Sequence, residues 1–296
     1  MDHSGAVVGP LLALLALMIL VLSFNLSDST NALRWIFALS IIPGGLAVLT
    51  LIFFVKEPVI ENKSDKTFKF SLKQFDGNFK IYLVTLVIFT LGNSSDAFLL
   101  FRVQEFISSS GALFSIVMNI PLFGNMVHSF GDAETQKNVV SILFLPIIWA
   151  FFHIIKAVFS TPLGSLSDKI GRKWVINIGW GIYAVVYLSF AFIDALPANL
   201  QVLATFVLFA VYALFYAFTE GVERAFVADL VSPEIRGSAY GLYNFAIGLG
   251  ALPASILFGI LYHSFGASVA FISGAAFALV AIILLLFFVK EARNVV

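Results

Sequence analysis

Along this chain the apolar positions neither alternate with polar ones nor keep to one stripe of a helix. They run on, almost unbroken, for about 20 residues at a time. Eight such runs stand out, at 5–23, 34–55, 80–101, 142–162, 173–193, 199–220, 237–262 and 267–289. A membrane-crossing helix needs about 20 apolar residues, because each rises about 1.5 Å and the hydrocarbon core is about 30 Å thick. The lack of alternation speaks against a transmembrane β-barrel, and backbone groups in lipid must bond inside their own segment. The pattern predicts an all-α, polytopic membrane protein with eight spans. Residues 111–130 are also apolar, but Asn119, Pro121, Gly124, Asn125 and His128 interrupt them.

Composition agrees with that pattern and narrows the function. Sixty per cent of the 296 residues are hydrophobic, 33 are Phe and 11% are charged, against roughly 25% charged in soluble domains. A soluble interior is too small to hide so much apolar surface, so a soluble enzyme, a nucleic-acid-binding domain and a disordered chain are excluded. Basic and acidic residues balance at 17 each, leaving no global field to recruit nucleic acid. With no cysteine there is no disulfide, cysteine nucleophile or thiolate metal site. The opening Met1-Asp2-His3-Ser4-Gly5 lacks the basic region and cleavage site of a secretory signal, so the first run reads as a mature helix.

Basic residues accumulate on cytoplasmic loops, and this fixes an expected orientation. With eight spans, one side carries Lys56, Lys63, Lys66, Lys69, Lys73, Lys80, Lys169, Arg172, Lys173, Arg224, Arg236, Lys290 and Arg293. The other carries Arg34, Arg102 and Lys137, with Lys156 left inside a span. A ninth span at 111–130 would destroy this asymmetry. That segment is therefore expected to be a re-entrant or interfacial part of an external-loop insertion at 111–140. Both termini then face the cytoplasm, an orientation that suits a bacterial inner membrane. Residues 56–79 read as a cytoplasmic linker between residues 1–55 and a bundle at 80–296.

Two spans share a pattern: Gly5 and Gly9 before Pro10 in the first, Gly248 before Pro253 in the seventh. Small residues permit close helix packing, and Pro frees a carbonyl and permits a bend. Between the fourth and fifth spans lies Gly164-Ser165-Leu166-Ser167-Asp168-Lys169-Ile170-Gly171-Arg172-Lys173. Gly164 and Gly171 suit a tight turn between packed helices. Asp168 can accept from helix N-terminal amides or pair with the basic cluster, and Arg172 and Lys173 hold the loop at the cytoplasmic face.

This ten-residue stretch resembles the cytoplasmic-loop motif of the major facilitator superfamily. Arg236-Gly237-x-Ala239-x-Gly241, followed by Gly248 and Pro253, is similar to that superfamily's motif around its eleventh helix, and Gly5 to Pro10 to that of its fifth. The resemblance implies that the eight spans are helices five to twelve of an expected twelve, with residues 1–55 ending a first six-helix half and 80–296 forming the second. It implies inverted three-helix repeats and alternating access.

Ionisable residues inside lipid cost about 2.5–3.5 kcal/mol on insertion scales and need a partner, a wet cavity or a task. His153 and Lys156 share a face near the centre of the fourth span. Asn93-Ser94-Ser95-Asp96 makes a polar turn in the third, where Asp96 can carry a proton or bind a cation. Asp96, His153 and Lys156 are the candidates for a substrate or proton pathway. Lys156 finds no partner at its own depth, since Asp96 lies about 15 Å away along the normal for upright helices. Glu220, Glu223 and Arg224, with Arg236 beyond, stand where the sixth span reaches the cytoplasmic edge. Glu220 and Arg224 are spaced to pair, and the group reads as an inner gate.

No phosphate-binding loop and no His-Glu-x-x-His motif occurs, so an ion or solute gradient is the expected energy source. No cofactor and no metal are expected. The expected function is a permease-like secondary transporter, a proton-coupled symporter or antiporter of a small solute with the lipid bilayer as its surroundings. The rivals are a non-transporting receptor or assembly partner, an inactive part of a transporter, and an intramembrane enzyme built on His153 and Asp96.

Overall fold

The computed structural model describes residues 2–24, 29–56 and 72–291, and the regular structure among them is entirely helical. Twelve α-helices follow in order. The first three are α1 (Asp2–Phe24), α2 (Ser29–Leu39) and α3 (Ile41–Phe54), then α4 (Gly77–Gly92) and α5 (Ala97–Ser110). Two short helices, α6 (Ala112–Met118) and α7 (Pro121–His128), precede α8 (Ala133–Ile170) and α9 (Arg172–Ala191). The chain closes with α10 (Ala198–Asp229), α11 (Arg236–Phe265) and α12 (Ala267–Phe288). Much of the expected linker, 57–71 with Lys63, Lys66 and Lys69, lies outside the described residues, as does Arg293.

Seven segments among the described residues, not the expected eight, are long and apolar enough to cross a membrane; Ser4–Leu20 is apolar but shorter. The run at 80–101 is not one continuous helix either. It is split into α4 and α5 by four residues, 93–96, in which the polar side chains of Asn93, Ser94, Ser95 and Asp96 cluster. In the other direction, α8 has 38 residues and α10 has 32, far beyond their apolar runs. Asp132 starts α8 by accepting the Thr135 N–H at 2.8 Å. That bond to the charged form holds the Asp132 carboxyl below its ordinary range.

The segment at 111–130 folds as α6 and α7, of seven and eight residues, each too short to cross a bilayer. Gly111, at φ 64°, separates α5 from α6, and Pro121 begins α7, where its missing N–H costs nothing. Both short helices lie against α8.

In the bundle, α9 packs between α10 and α12, α10 against α8, and α4 against α11 and α12. Helix α1 rests on α8, whereas α3 buries no residue. The main core among the described residues is rich in aromatics and joins α4, α5 and α8 to α12. Phe89 stacks on Trp180 at 4.4 Å between centroids, and Tyr183 on Tyr187 at 4.1 Å. Outward faces keep large apolar side chains exposed, such as Phe54, Leu252 and Phe287, as expected of a lipid-facing surface. At one end, buried Arg102 pairs with Glu105 and Asp194, and the Tyr262 hydroxyl donates to Glu105. The opposite end gathers Asn78, which hydrogen-bonds both backbone groups of Lys290.

Among the described residues, the closest approaches of helices are made at other glycines than the expected packing ones. A Cβ added at Gly5, Gly9 or Gly248 meets nothing within 4 Å among the described residues. The close approaches are made by Gly92 and Gly274 across α4 and α12, Gly179 against Thr219, and Gly250 against Thr90. A spacing of Gly and Pro identifies a bendable helix but does not say which small residue faces a neighbour. Pro10 and Pro253 do lie inside α1 and α11.

Gly179→Ala would place its Cβ 2.5 Å from Thr219 and 3.0 Å from Phe218, forcing α9 from α10 and costing about 1–3 kcal/mol. Thermal unfolding in detergent should show Gly179→Ala melting several degrees below the parent. Gly248→Ala should melt at or slightly above it. Equal melting temperatures would contradict this packing.

Candidate functional site

Breaking a helix inside lipid leaves carbonyls and amides to be satisfied by something other than the helix. At 93–96 the bundle supplies hydroxyls. The Tyr183 hydroxyl donates to the Gly92 carbonyl at 2.6 Å. Ser94 and the Tyr187 hydroxyl lie 3.3 Å apart and share a hydrogen bond. Asp96, last residue of the break, accepts from Tyr212 at 2.5 Å and from Tyr216 at 3.0 Å and 3.1 Å. Both tyrosines sit on α10, one turn apart, so they reach the carboxylate from the same face. Among the described residues Asp96 has no ion-pair partner.

Lys156 does have a partner. Its Nζ lies 2.6 Å from Glu220 and 4.8 Å from the centre of the Tyr216 ring. Tyr216 therefore touches both candidates that sequence depth had placed about 15 Å apart: its ring faces Lys156 and its hydroxyl holds Asp96. Glu220 consequently pairs across helices and not with Arg224 along its own. The correction has a simple cause. The apolar run ends at 220, but α10 continues nine residues further to Asp229, so Glu220 stands about 13 Å inside the helix end. Glu223 is buried too, accepting from Trp180 Nε1 at 3.0 Å and from the Tyr243 hydroxyl at 3.0 Å. Arg224 and Arg236 are exposed. His153 packs edge-on against Trp149 and Phe152 on α8.

These groups meet at a cavity of about 740 Å³ between α4, α5, α8, α10 and α11, within the usual range for small-molecule sites. Asp96, Glu220, Glu223 and Arg224 contribute its charged lining; Phe89, Trp149, Phe215, Tyr216 and Tyr243 its aromatic walls. His153 and Lys156 do not line it directly; Lys156 reaches it through Glu220 and Tyr216.

The ten-residue loop motif builds a second constellation, at the end of the bundle that holds Lys290. Only Gly171, at φ 97°, makes the turn; Gly164 to Lys169 belong to the last turns of α8, and an added Cβ at Gly164 meets nothing. Arg172 bonds Asp168 at 3.2 Å, the Ala225 carbonyl at 2.8 Å, and Asp229. It thus staples the α8–α9 turn to the end of α10. Lys173 Nζ caps α12, bonding the Leu286 and Val289 carbonyls at 2.7 Å each, where helix dipole and unpaired carbonyls favour a cation.

Sequence reasoning missed Tyr212, Tyr216, Trp180 and Tyr243. The signal was weak, because neutral aromatic donors are lost among so many apolar and aromatic positions. The one available cue was Tyr212 and Tyr216 at i and i+4 in a helix otherwise poor in polar groups.

Comparison with known proteins places the chain. A family model described as Major Facilitator Superfamily matches residues 106–296. An uncharacterized MFS-type transporter of Methanocaldococcus jannaschii is 32% identical over 286 residues, covering 97% of this chain and 61% of the relative. A second uncharacterized MFS-type transporter of that organism is 28% identical over 125 residues, 42% of this chain and 31% of the relative. The chain thus spans about three fifths of the first relative's length, and its partial match covers about one third of the second's. No solved structure matches it at a significant level. The chain belongs to the Major Facilitator Superfamily and is an integral membrane protein.

Lys156→Met and Glu220→Gln should each lower unfolding stability by about 1–3 kcal/mol, the cost of leaving a partly buried charge without its ion partner. The double variant should lose less than the sum by about 1 kcal/mol or more. Additive losses in detergent melts would show that the pair is not coupled.

Proposed function

We propose that this member of the Major Facilitator Superfamily is a proton-coupled secondary transporter of a small solute, working by alternating access, with Asp96 as its proton-carrying group. The observation that carries the reading is Asp96 at a helix break, facing a solute-sized cavity and hydrogen-bonded, among the described residues, by two tyrosine hydroxyls. A carboxylate bonded by neutral donors in a membrane interior can exchange a proton or a cation without breaking an ion pair. Discontinuous helices at the centre of transporters commonly frame such sites.

Lys156 and Glu220 form the adjoining charge pair, which can open when the Asp96 site changes charge, because Tyr216 contacts both. Glu223 belongs to the same pathway. Arg224 and Arg236 remain as candidates for an inner gate. The staple of Arg172 to Asp168 and Asp229 locks the end that the excess of basic residues assigns to the cytoplasm. On that assignment both termini are cytoplasmic. The membrane is the plasma membrane.

Purified protein reconstituted in liposomes with an internal pH dye tests this reading against a panel of amino acids, sugars, nucleosides, and organic cations and anions. At least one solute should move protons saturably, and Asp96→Asn should abolish the proton movement. Saturable solute flux without protons, or unchanged proton movement in Asp96→Asn, would contradict the coupling. No flux with any solute would favour the non-transporting reading.

A further inference from the structure

We infer that the solute is an organic cation, seated with its positive centre at Asp96 and its body against the aromatic wall of the cavity. The inference rests on the transporter reading and names the substrate class of the same site.

Charge decides first. Asp96, Glu220 and Glu223 face the cavity, and Lys156 offsets one of them at 2.6 Å. The hydrogen bonds to the other two come from neutral donors: Tyr212 and Tyr216 for Asp96, Trp180 and Tyr243 for Glu223. Arg224, the basic residue of the lining, is exposed and two turns of α10 beyond Tyr216. Among the described residues, three carboxylates thus face two cations, Lys156 and Arg224, and the lining keeps one negative charge in excess. In a membrane interior, an excess of negative charge attracts a cation and disfavours an anion.

The walls decide next. Trp149, Phe215 and Tyr216 belong to the lining, Tyr216 in direct contact with Asp96, and aromatic faces attract ammonium-type centres, the more so when desolvated. The protein already uses one of these faces in this way. Lys156 holds its ammonium 4.8 Å from the Tyr216 ring centre while the hydroxyl of that ring bonds Asp96. Lys156 is thus a tethered cation beside the site, and an incoming cation competes with it for the same ring.

Tetraphenylphosphonium and tetraphenylborate share shape and size and differ in the sign of their charge. Binding of each to the purified chain in detergent can be read by tryptophan fluorescence, with Trp149 in the wall. The phosphonium should bind saturably and about tenfold or more tighter than the borate, and Asp96→Asn should lose about tenfold in phosphonium affinity. Lys156→Gln should bind the phosphonium at least as tightly as the parent. Equal binding of the two ions, or unchanged affinity in a folded Asp96→Asn, would overturn the inference. So would weaker phosphonium binding in Lys156→Gln. The comparison of the two ions needs no variant, so it stands even where Asp96→Asn fails to fold. Absence of phosphonium binding in a chain that still couples another solute to protons would remove the substrate class and leave the transporter reading intact.

Discussion

Lipid offers no hydrogen bonds, so every backbone group in the bilayer must be satisfied from within the protein. The interruption between α4 and α5 is where this constraint presses hardest. Four residues leave the helix, and tyrosines on α9 and α10 surround them: Tyr183 donates to the Gly92 carbonyl, while Tyr187, Tyr212 and Tyr216 bond the side chains of Ser94 and Asp96. Their hydroxyls are useful only if their rings are fixed, which is the task of the core. Tyr183 and Tyr187 stack on each other, and Tyr212 and Tyr216 both pack on Phe152 at 5.6 Å. Gly274 leaves room for the Tyr187 ring and for the Gly92 carbonyl beside it. Backbone break, aromatic core and close glycine contacts are therefore one structure, and it turns Asp96 toward the cavity.

The charges follow the same economy of neighbours. Lys156 and Glu220 neutralise each other across α8 and α10, which limits the penalty of holding either inside the bundle. Arg172 and Lys173 are consumed at the bundle end, by Asp168 and Asp229 and by the carbonyls of α12. Asp96 and Glu223 instead receive neutral donors. This difference singles out two carboxylates of the cavity: Asp96 and Glu223 are held in place by neutral donors, while Glu220 beside them is paired with Lys156.

Much of this was legible in the sequence, for identifiable reasons. Twenty-residue apolar runs announce membrane helices because lipid tolerates little else, and the loop motif announced its family through Asp168, Gly171, Arg172 and Lys173. Asp96 was legible as a polar residue in the wrong solvent. The partners were not. Apolar runs mark where lipid begins and ends, not where helices do, so α10 was cut short at Glu220 and the pairing with Lys156 was missed. The close contacts at Gly92, Gly179, Gly250 and Gly274 were not legible, because spacing carries no information about which way a small residue faces. The tyrosines were invisible for a related reason: a neutral donor becomes functional only through the group placed opposite it.

Difference infrared spectroscopy across an acid-to-alkaline transition tests most directly whether Asp96 is a titrating group held by tyrosine hydroxyls. A protonated carboxylic acid gives a C=O stretch that the carboxylate lacks. The structure predicts such a band, absent in Asp96→Asn and displaced in Tyr216→Phe, where one hydrogen bond is lost. A spectrum whose carboxylic-acid bands are the same in the parent and both variants would contradict it.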